Sequence, residues 1–297
     1  MAVRRLELAV TPAHAGLRVG QLLRRELALS GAVVRRIKWL PDGILLDGQR
    51  VNTRCVPRPG QVLSVRLSDP ERRSGIVPAP GPLDIVYEDP DLVVLNKAAG
   101  VSVHPGPGHY SDTICNFLMN YYDQSGCEAD VHPVHRLDRG TSGLLVVAKH
   151  PHAQEQLKQQ LHTPDFRRIY LAVCEGAPQP PAGTIDAPLG PVDGSLVAQQ
   201  VRPDGKPART HYETLSRRGP RTLMRLELDT GRTHQIRVHL AHIGCPLTGD
   251  FLYGQEAPDL IPRPALHSAQ LVLRHPVTGE RLELHAELPG DMRKLVE

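Results

Sequence analysis

Residues 18–31, RVGQLLRRELALSG, set Val19, Leu22, Leu23 and Leu27 at helical spacing, and this predicts an amphipathic helix with Gly31 as its stop. In VVRRIK, Val33 or Val34 joins Ile37 on the inner face of a second short helix, leaving Arg35, Arg36 and Lys38 as a basic ridge. ILLDGQRVN predicts a hairpin turning at Asp47-Gly48, and VLSVRL a strand whose Leu63, Val65 and Leu67 alternate with Ser64 and Arg66. SGIVPAPGP, residues 74–82, carries three prolines and two glycines without periodicity, as a linker does. The expected division is therefore a small α/β unit over 1–73, a linker over 74–82 and a larger unit over 83–297.

In the larger unit, DIVYEDPDLVVLNK predicts two strands about an acidic proline turn. SDTICNFLMNYY predicts a helix capped by Ser111 with Ile114, Phe117, Leu118 and Tyr121 inward, and PHAQEQLKQQL one with Pro151 in its first turn. LLVVAK, IYLAVCEG and TLMRLELDT read as strands. THQIRVHLAHIG fits a helix capped by Thr233, with Ile236, Leu240 and Ile243 on one face and Gly244 as its stop. Strands and helices follow no regular βαβ rhythm, so the fold class is α+β with a mixed, largely antiparallel central sheet.

Charge sharpens the division. The net +3 of the chain conceals +8 over residues 1–73, from 14 Lys and Arg against 6 Asp and Glu, and −5 over the rest. A small basic end on a slightly acidic body suggests a polyanion-gripping module, the bland alternative being a solubilising end. No window approaches a membrane span, and MAVRRLELAV has charges where a signal peptide needs apolar residues, so the expected address is the cytoplasm. The five cysteines are scattered, without a CxxC, and predict neither a disulfide framework nor a thiolate zinc site.

One motif stands out. HRLDRGTSG, residues 135–143, puts Asp138 on a short loop with Gly140 and Gly143 bracketing Thr141 and Ser142. A carboxylate held so can serve as nucleophile, base or partner of a developing cation, or simply cap a turn beside Arg136 or Arg139. GRTHQIRVH, residues 231–239, supplies Arg232 and Arg237 for a carboxylate or phosphate. His234, His239 and His242 form the tightest histidine set, but no HExxH or acidic ligand cluster accompanies them, so no metal is expected. Aromatic residues are only 4% of the chain, and Tyr170 follows Arg167 and Arg168, the combination that base stacking beside phosphates would use.

LVVLNKAAGVSVHP, PVHRLDRGTSGLLVVAK, RRIYLAVCEG, GKPARTHYETL, LDTGRTHQIRVHLAHIGCPLTGDFLYG and ALHSAQLVLRHP occur in an order that resembles the RluA-type family of RNA pseudouridine synthases over nearly the whole chain. Residues 15–68 resemble the S-four type RNA-binding domain that often precedes that catalytic domain. The resemblance implies a pseudouridine synthase fold and isomerisation of uridine within RNA, in which the N1 to C1′ bond breaks and C5 is joined to C1′. Asp138 matches the essential aspartate, Arg237 the basic residue paired with it, and Tyr170 the tyrosine that stacks on the base and is implicated in C5 deprotonation. Leu266 matches an apolar wall of the uracil pocket.

The same resemblance makes His135, Arg136, Leu137, Arg139, Thr141, Ser142, Arg232, Thr233 and Gln235 substrate-binding candidates, and Arg35, Arg36 and Lys38 RNA-binding ones. It implies no cofactor, no metal, an RNA partner and a monomer. Large-subunit ribosomal RNA is the expected substrate and transfer RNA the alternative. A non-catalytic RNA-binding ribosome-assembly factor and a metal-dependent hydrolase are the competing classes. Lys97-Ala98, where the family usually has Lys-Pro, and SDTICNFLMNYY, where it usually opens a helix with Gly-Thr-Leu, are departures.

Overall fold

The computed structural model describes residues 3–68, 72 and 74–297. Among them the main sheet has ten strands. Its path runs Ala182–Asp186, Arg209–Arg218, Arg221–Leu228, Arg167–Glu175, Leu266–Arg274, Ser142–Ala148, Leu92–Lys97, Ile85–Glu88; Arg281–His285 joins beside Leu266–Arg274, and His132–Pro133 beside Ser142–Ala148. The pairings are antiparallel except between Leu266–Arg274 and Ser142–Ala148, which run parallel. The architecture is α+β, with a mixed, largely antiparallel sheet.

Ser142–Ala148 is buried along its whole length, as an apolar run covered on both faces must be. Alternate residues therefore serve two cores. Val93, Leu95, Leu145 and Val147 pack with Ile114, Leu118 and Tyr122 of the helix Ile114–Gln124 on one face, whereas Leu92, Val94, Leu144 and Val146 pack with Ala153 and Leu157 of the helix Pro151–Gln160 on the other.

The N-terminal part has its own four-stranded sheet and its own core, in which Leu22, Leu23, Leu63 and Val65 are inaccessible to solvent. It docks on the larger part through Arg4, whose Nε and Nη2 donate to the two Asp91 oxygens at 2.7 and 2.8 Å, while His150 Nε2 lies 2.9 Å from the same carboxylate. Burial would raise the Asp91 pKa, but these partners outweigh it and hold the group down at about 2.

Several sequence expectations are corrected. Gly31 does not stop the first helix, which is Val19–Arg25; it opens the second, Gly31–Ile37, behind the Ser30 cap, and the break falls at Ala28 with φ 50°. The helix Ile114–Gln124 is capped by Thr113, not Ser111, because the Thr113 hydroxyl accepts from Asn116 N, and Tyr122 rather than Tyr121 is the fully buried tyrosine. The helix Gln235–His242 is preceded by His234 in the left-handed region, φ 56°, rather than capped by Thr233. Arg66, a polar position of the alternating strand, is buried and donates to Asp42 Oδ2 at 2.9 Å. Within the basic ridge Arg35 is exposed, whereas Arg36 is half-buried. Residues 69–71 and 73, where the first unit was expected to end, lie outside the described residues. No helix among the described residues is long and apolar enough to cross a membrane.

Candidate active site

The HRLDRGTSG loop enters the sheet at its one parallel seam. Gly143 has φ 106°, and a Cβ there would lie 2.2 Å from Ser268 O, so only glycine lets the two strands approach. Just before it, Thr141 N donates to Asp138 O at 3.0 Å, closing a turn that leaves the Asp138 side chain half-buried in a cavity of about 240 Å³. The loop's glycines thus fix the carboxylate to the sheet.

Arg237, on the first turns of Gln235–His242, lines the same cavity and is 4% exposed. It faces Asp138 as expected, but its closer partner is Asp250. The Nε and Nη2 edge donates to Asp250 at 2.7 Å on both oxygens, and Nη1 faces Asp138 Oδ2 at 3.9 Å, beyond hydrogen-bond range. Asp250 is wholly buried and also accepts from Leu252 N and Tyr253 N. The guanidinium lies over the Tyr253 and Phe251 rings, at 5.0 and 5.6 Å. Burial alone would lower the Arg237 pKa; the bonds to Asp250 and the charges of Asp250 and Asp138 raise it instead.

Tyr170, in the strand Arg167–Glu175, lines the cavity together with Leu266, which begins Leu266–Arg274. Both belong to the apolar core on that face, as do Leu137 and Ile236, so the cavity rests on packed hydrocarbon. Burial raises the Tyr170 pKa and keeps its hydroxyl protonated at neutral pH. His135, Arg136, Leu137, Thr141, Arg232, Thr233 and Gln235 also line the cavity. His135 is pushed down to about 3 by burial and by the charge of Arg168, so it is a neutral imidazole, with Nε2 accepting from Val146 N. Gln235 is committed internally, accepting from Thr230 Oγ1 and Arg232 N and donating to Arg209 O and Thr210 Oγ1.

Two of the nominated residues lie outside the cavity lining. Arg139 Nε donates to Gly100 O at 2.8 Å, and Ser142 Oγ meets His267 Nδ1 at 2.9 Å behind the loop. Arg35 and Arg36, on the helix Gly31–Ile37, and Lys38 at its C-terminal cap are not among the residues that line the cavity. The histidine set is dispersed: His234 Nδ1 meets Tyr253 Oη at 2.8 Å, His239 bonds Thr210 Oγ1 and Ala187 O, and His242 is exposed. Asp89, Asp91 and His275 can bring three ligand atoms within 4.8 Å of one another, but Tyr87, Arg4 and His150 already engage those carboxylates.

Asp250, Tyr253 and Lys97 were not proposed as site residues from the sequence, whereas Arg168 was named there as a basic neighbour of Tyr170. Asp250 and Tyr253 sit inside the quoted GDFLYG segment, yet an acid 13 positions beyond Arg237 has no local spacing that marks it. Lys97 is 1% exposed, and its Nζ donates to Ala98 O, Val101 O and Arg139 O at 2.9, 2.8 and 3.3 Å. Desolvation pushes it down to about 7, against the pull of Asp138.

Residues 91–242 match the family model described as RNA pseudouridylate synthase. The chain is 39% identical over 272 residues to an uncharacterized RNA pseudouridine synthase of Bacillus subtilis, covering 92% of this chain and 96% of that one. It is 38% identical over 305 residues to ribosomal large subunit pseudouridine synthase D of Yersinia pestis, covering 98% and 93%. Among solved structures it is similar to human RNA pseudouridylate synthase domain containing 4, with a TM-score of 0.58 and 28% identity over 71% of this chain and 90% of that one.

Two predictions follow from the buried charges. Asp250→Asn leaves Arg237 without its buried counter-charge, so unfolding free energy should fall by about 3–5 kcal/mol and turnover should fall with it. Urea melts and initial rates check this, and a loss below about 1 kcal/mol with full activity would mean Arg237 stands without Asp250. The unfolded chain keeps the Lys97 proton to the ordinary lysine value of 10.5 and the folded chain only to about 7. Between these values unfolding takes up a proton, so stability should rise with pH through that window, and Lys97→Met should abolish the rise in melts at pH 7 and 9.

Proposed function

This chain belongs to the RNA pseudouridylate synthase family, and from that premise we propose that it isomerises uridines of large-subunit ribosomal RNA through Asp138. The activity itself, RNA pseudouridine synthesis, is that of the family. The observation that carries the site reading is a single carboxylate fixed by the sheet seam, facing the guanidinium of Arg237 over an apolar floor that includes Tyr170 and Leu266. Cleavage of the N1 to C1′ bond develops positive character on the ribose, and a pre-positioned anion stabilises it without reorganising.

In this reading Asp138 meets the ribose and Tyr170 stacks on the base, its hydroxyl serving C5 deprotonation. Arg237 positions Asp138 while Asp250 holds Arg237. Leu266 and Leu137 shape the uracil pocket. Arg136 and Arg232, exposed at the rim, grip phosphates as the nucleotide flips out of the RNA stack. Ribosomal RNA is favoured over transfer RNA by the printed names of relatives 38% identical across nearly the whole chain. The N-terminal unit supplies further RNA contacts from Arg35 and Lys38, and the protein works as a cytoplasmic monomer.

Release of tritium from RNA carrying 5-tritiated uridine tests the substrate and the carboxylate together. Large-subunit ribosomal transcripts should release it with wild type and not with Asp138→Ala; release from transfer RNA alone would overturn the substrate, and release by Asp138→Ala would overturn the site. Arg35→Ala and Lys38→Ala should each flatten the plot of log affinity against log salt by about 0.7–0.9 if each holds a phosphate. Unchanged slopes in filter binding would remove the N-terminal ridge from the RNA contact.

A further inference from the structure

The chain has three phenylalanines. Phe117 and Phe166 are 7% and 3% exposed, whereas Phe251 is 60% exposed and joins none of the apolar cores. A single exposed apolar side chain is ordinary. Phe251 is set apart by where it stands and how it is held. Its ring centre is 5.6 Å from the guanidinium of Arg237, and Arg237 lines the cavity that Asp138 also lines. One side of the ring is thus turned to a buried cation at the edge of the site, and the side away from it is free to take a partner.

The turn that carries the ring is tied down on both sides of it. Asp250 is wholly buried, with its carboxylate held by Arg237, and its Oδ1 also accepts from Leu252 N at 3.0 Å and from Tyr253 N at 3.2 Å. Gly254 N donates to Asp250 O at 2.9 Å, and Tyr253 Oη accepts from Gln199 N at 2.8 Å. A ring on so fixed a backbone loses little freedom when something stacks on it.

We propose that Phe251 is a stacking platform for the RNA base next to the target uridine. The inference rests on reading this cavity as the site that receives the uridine. When that uridine swings out of the RNA, the base beside it loses a stacking neighbour. A ring at the edge of the cavity replaces that neighbour, on the side not turned to Arg237. Arg136 and Arg232, exposed and in the cavity lining, bring positive charge for the backbone, and basic groups beside an aromatic ring are how single strands are held. Every base has a π-face, so the contact supplies affinity and register without choosing the identity of the neighbour.

The test compares Phe251→Ala and Phe251→Trp with wild type on the RNA that wild type modifies, and on copies in which one or the other neighbour of the target uridine is abasic. Phe251→Ala should raise the RNA Kd by about 5–100-fold. Its kcat at saturating RNA should be nearly unchanged, because a contact made equally in the ground and transition states is lost from both. Phe251→Trp should keep the wild-type Kd, and Tm should not move in either variant because the ring is exposed. One of the two abasic positions should weaken binding to wild type and cost Phe251→Ala nothing further, so the two losses should not add.

Losses that add at both positions would mean that neither neighbouring base meets the ring, and would overturn the proposal. So would a fall in kcat with Kd unchanged, which marks packing against Arg237, or no change in either. Asp138→Ala run alongside keeps the two readings apart. Turnover by that variant would sink the site reading, whereas an inactive Asp138→Ala with additive losses at Phe251 would sink the platform alone.

Discussion

A guanidinium cannot be buried without an answer to both its charge and its donors, and Asp250 gives that answer to Arg237. The pairing consumes the Nε and Nη2 edge and leaves Nη1 turned toward Asp138 at 3.9 Å. Were Asp138 itself the neutralising partner, its oxygens would be spent on a bidentate ion pair and would have to leave it to reach a substrate. Asp250 removes that conflict: the arginine is held by one carboxylate and presented to another. The fold makes this possible by bringing the HRLD loop, the helix Gln235–His242 and the segment around Asp250 to one side of the sheet.

The sheet supplies the rigidity. Asp138 precedes the buried strand Ser142–Ala148, Tyr170 lies within Arg167–Glu175, and Leu266 begins the strand between those two. Neighbouring strands stand about 4.8 Å apart. Tyr170 and Leu266 are thus placed by the sheet itself, and Asp138 by the short turn that leads into it. The parallel seam at Ser142 and Gly143 against His267 and Ser268 is where the loop leaves the sheet, and its close approach explains why glycine stands there.

Much of this was legible in the sequence, and the parts that were not share a cause. Strands such as LLVVAK and IYLAVCEG, and the helix at PHAQEQLKQQL, announce themselves by local periodicity and end signals, which is information within one element. Asp138, Tyr170 and Arg237 were visible through long motifs that keep their order. Asp250 and Lys97 were missed because each matters through partners that local spacing does not mark. Cap assignments slipped by one or two residues at Ser111 and Thr233 for a smaller reason. Neighbouring hydroxyls compete for the same amide, and backbone geometry decides: Thr113 wins at one end, and a left-handed His234 turns the chain at the other.

The charges around the cavity divide by the sign of what each would meet. Asp138 is the anion that lines it, and a ribose losing its base becomes positive at C1′. Arg168 and Arg237 are buried cations, and Lys97, pushed down to about 7, contributes charge that weakens through neutral pH. A base leaving with its bonding electrons becomes negative. Arg237 is answered by Asp250, which leaves its Nη1 facing Asp138 at 3.9 Å. Arg168 has no carboxylate partner among the described residues and lies against the Phe166 ring, 6.0 Å from its centre. An enzyme that separates a cation from an anion and then rejoins them at a different atom needs both ends stabilised at once, and the cavity sets the anion Asp138 beside the buried cations Arg168 and Arg237 over an apolar floor.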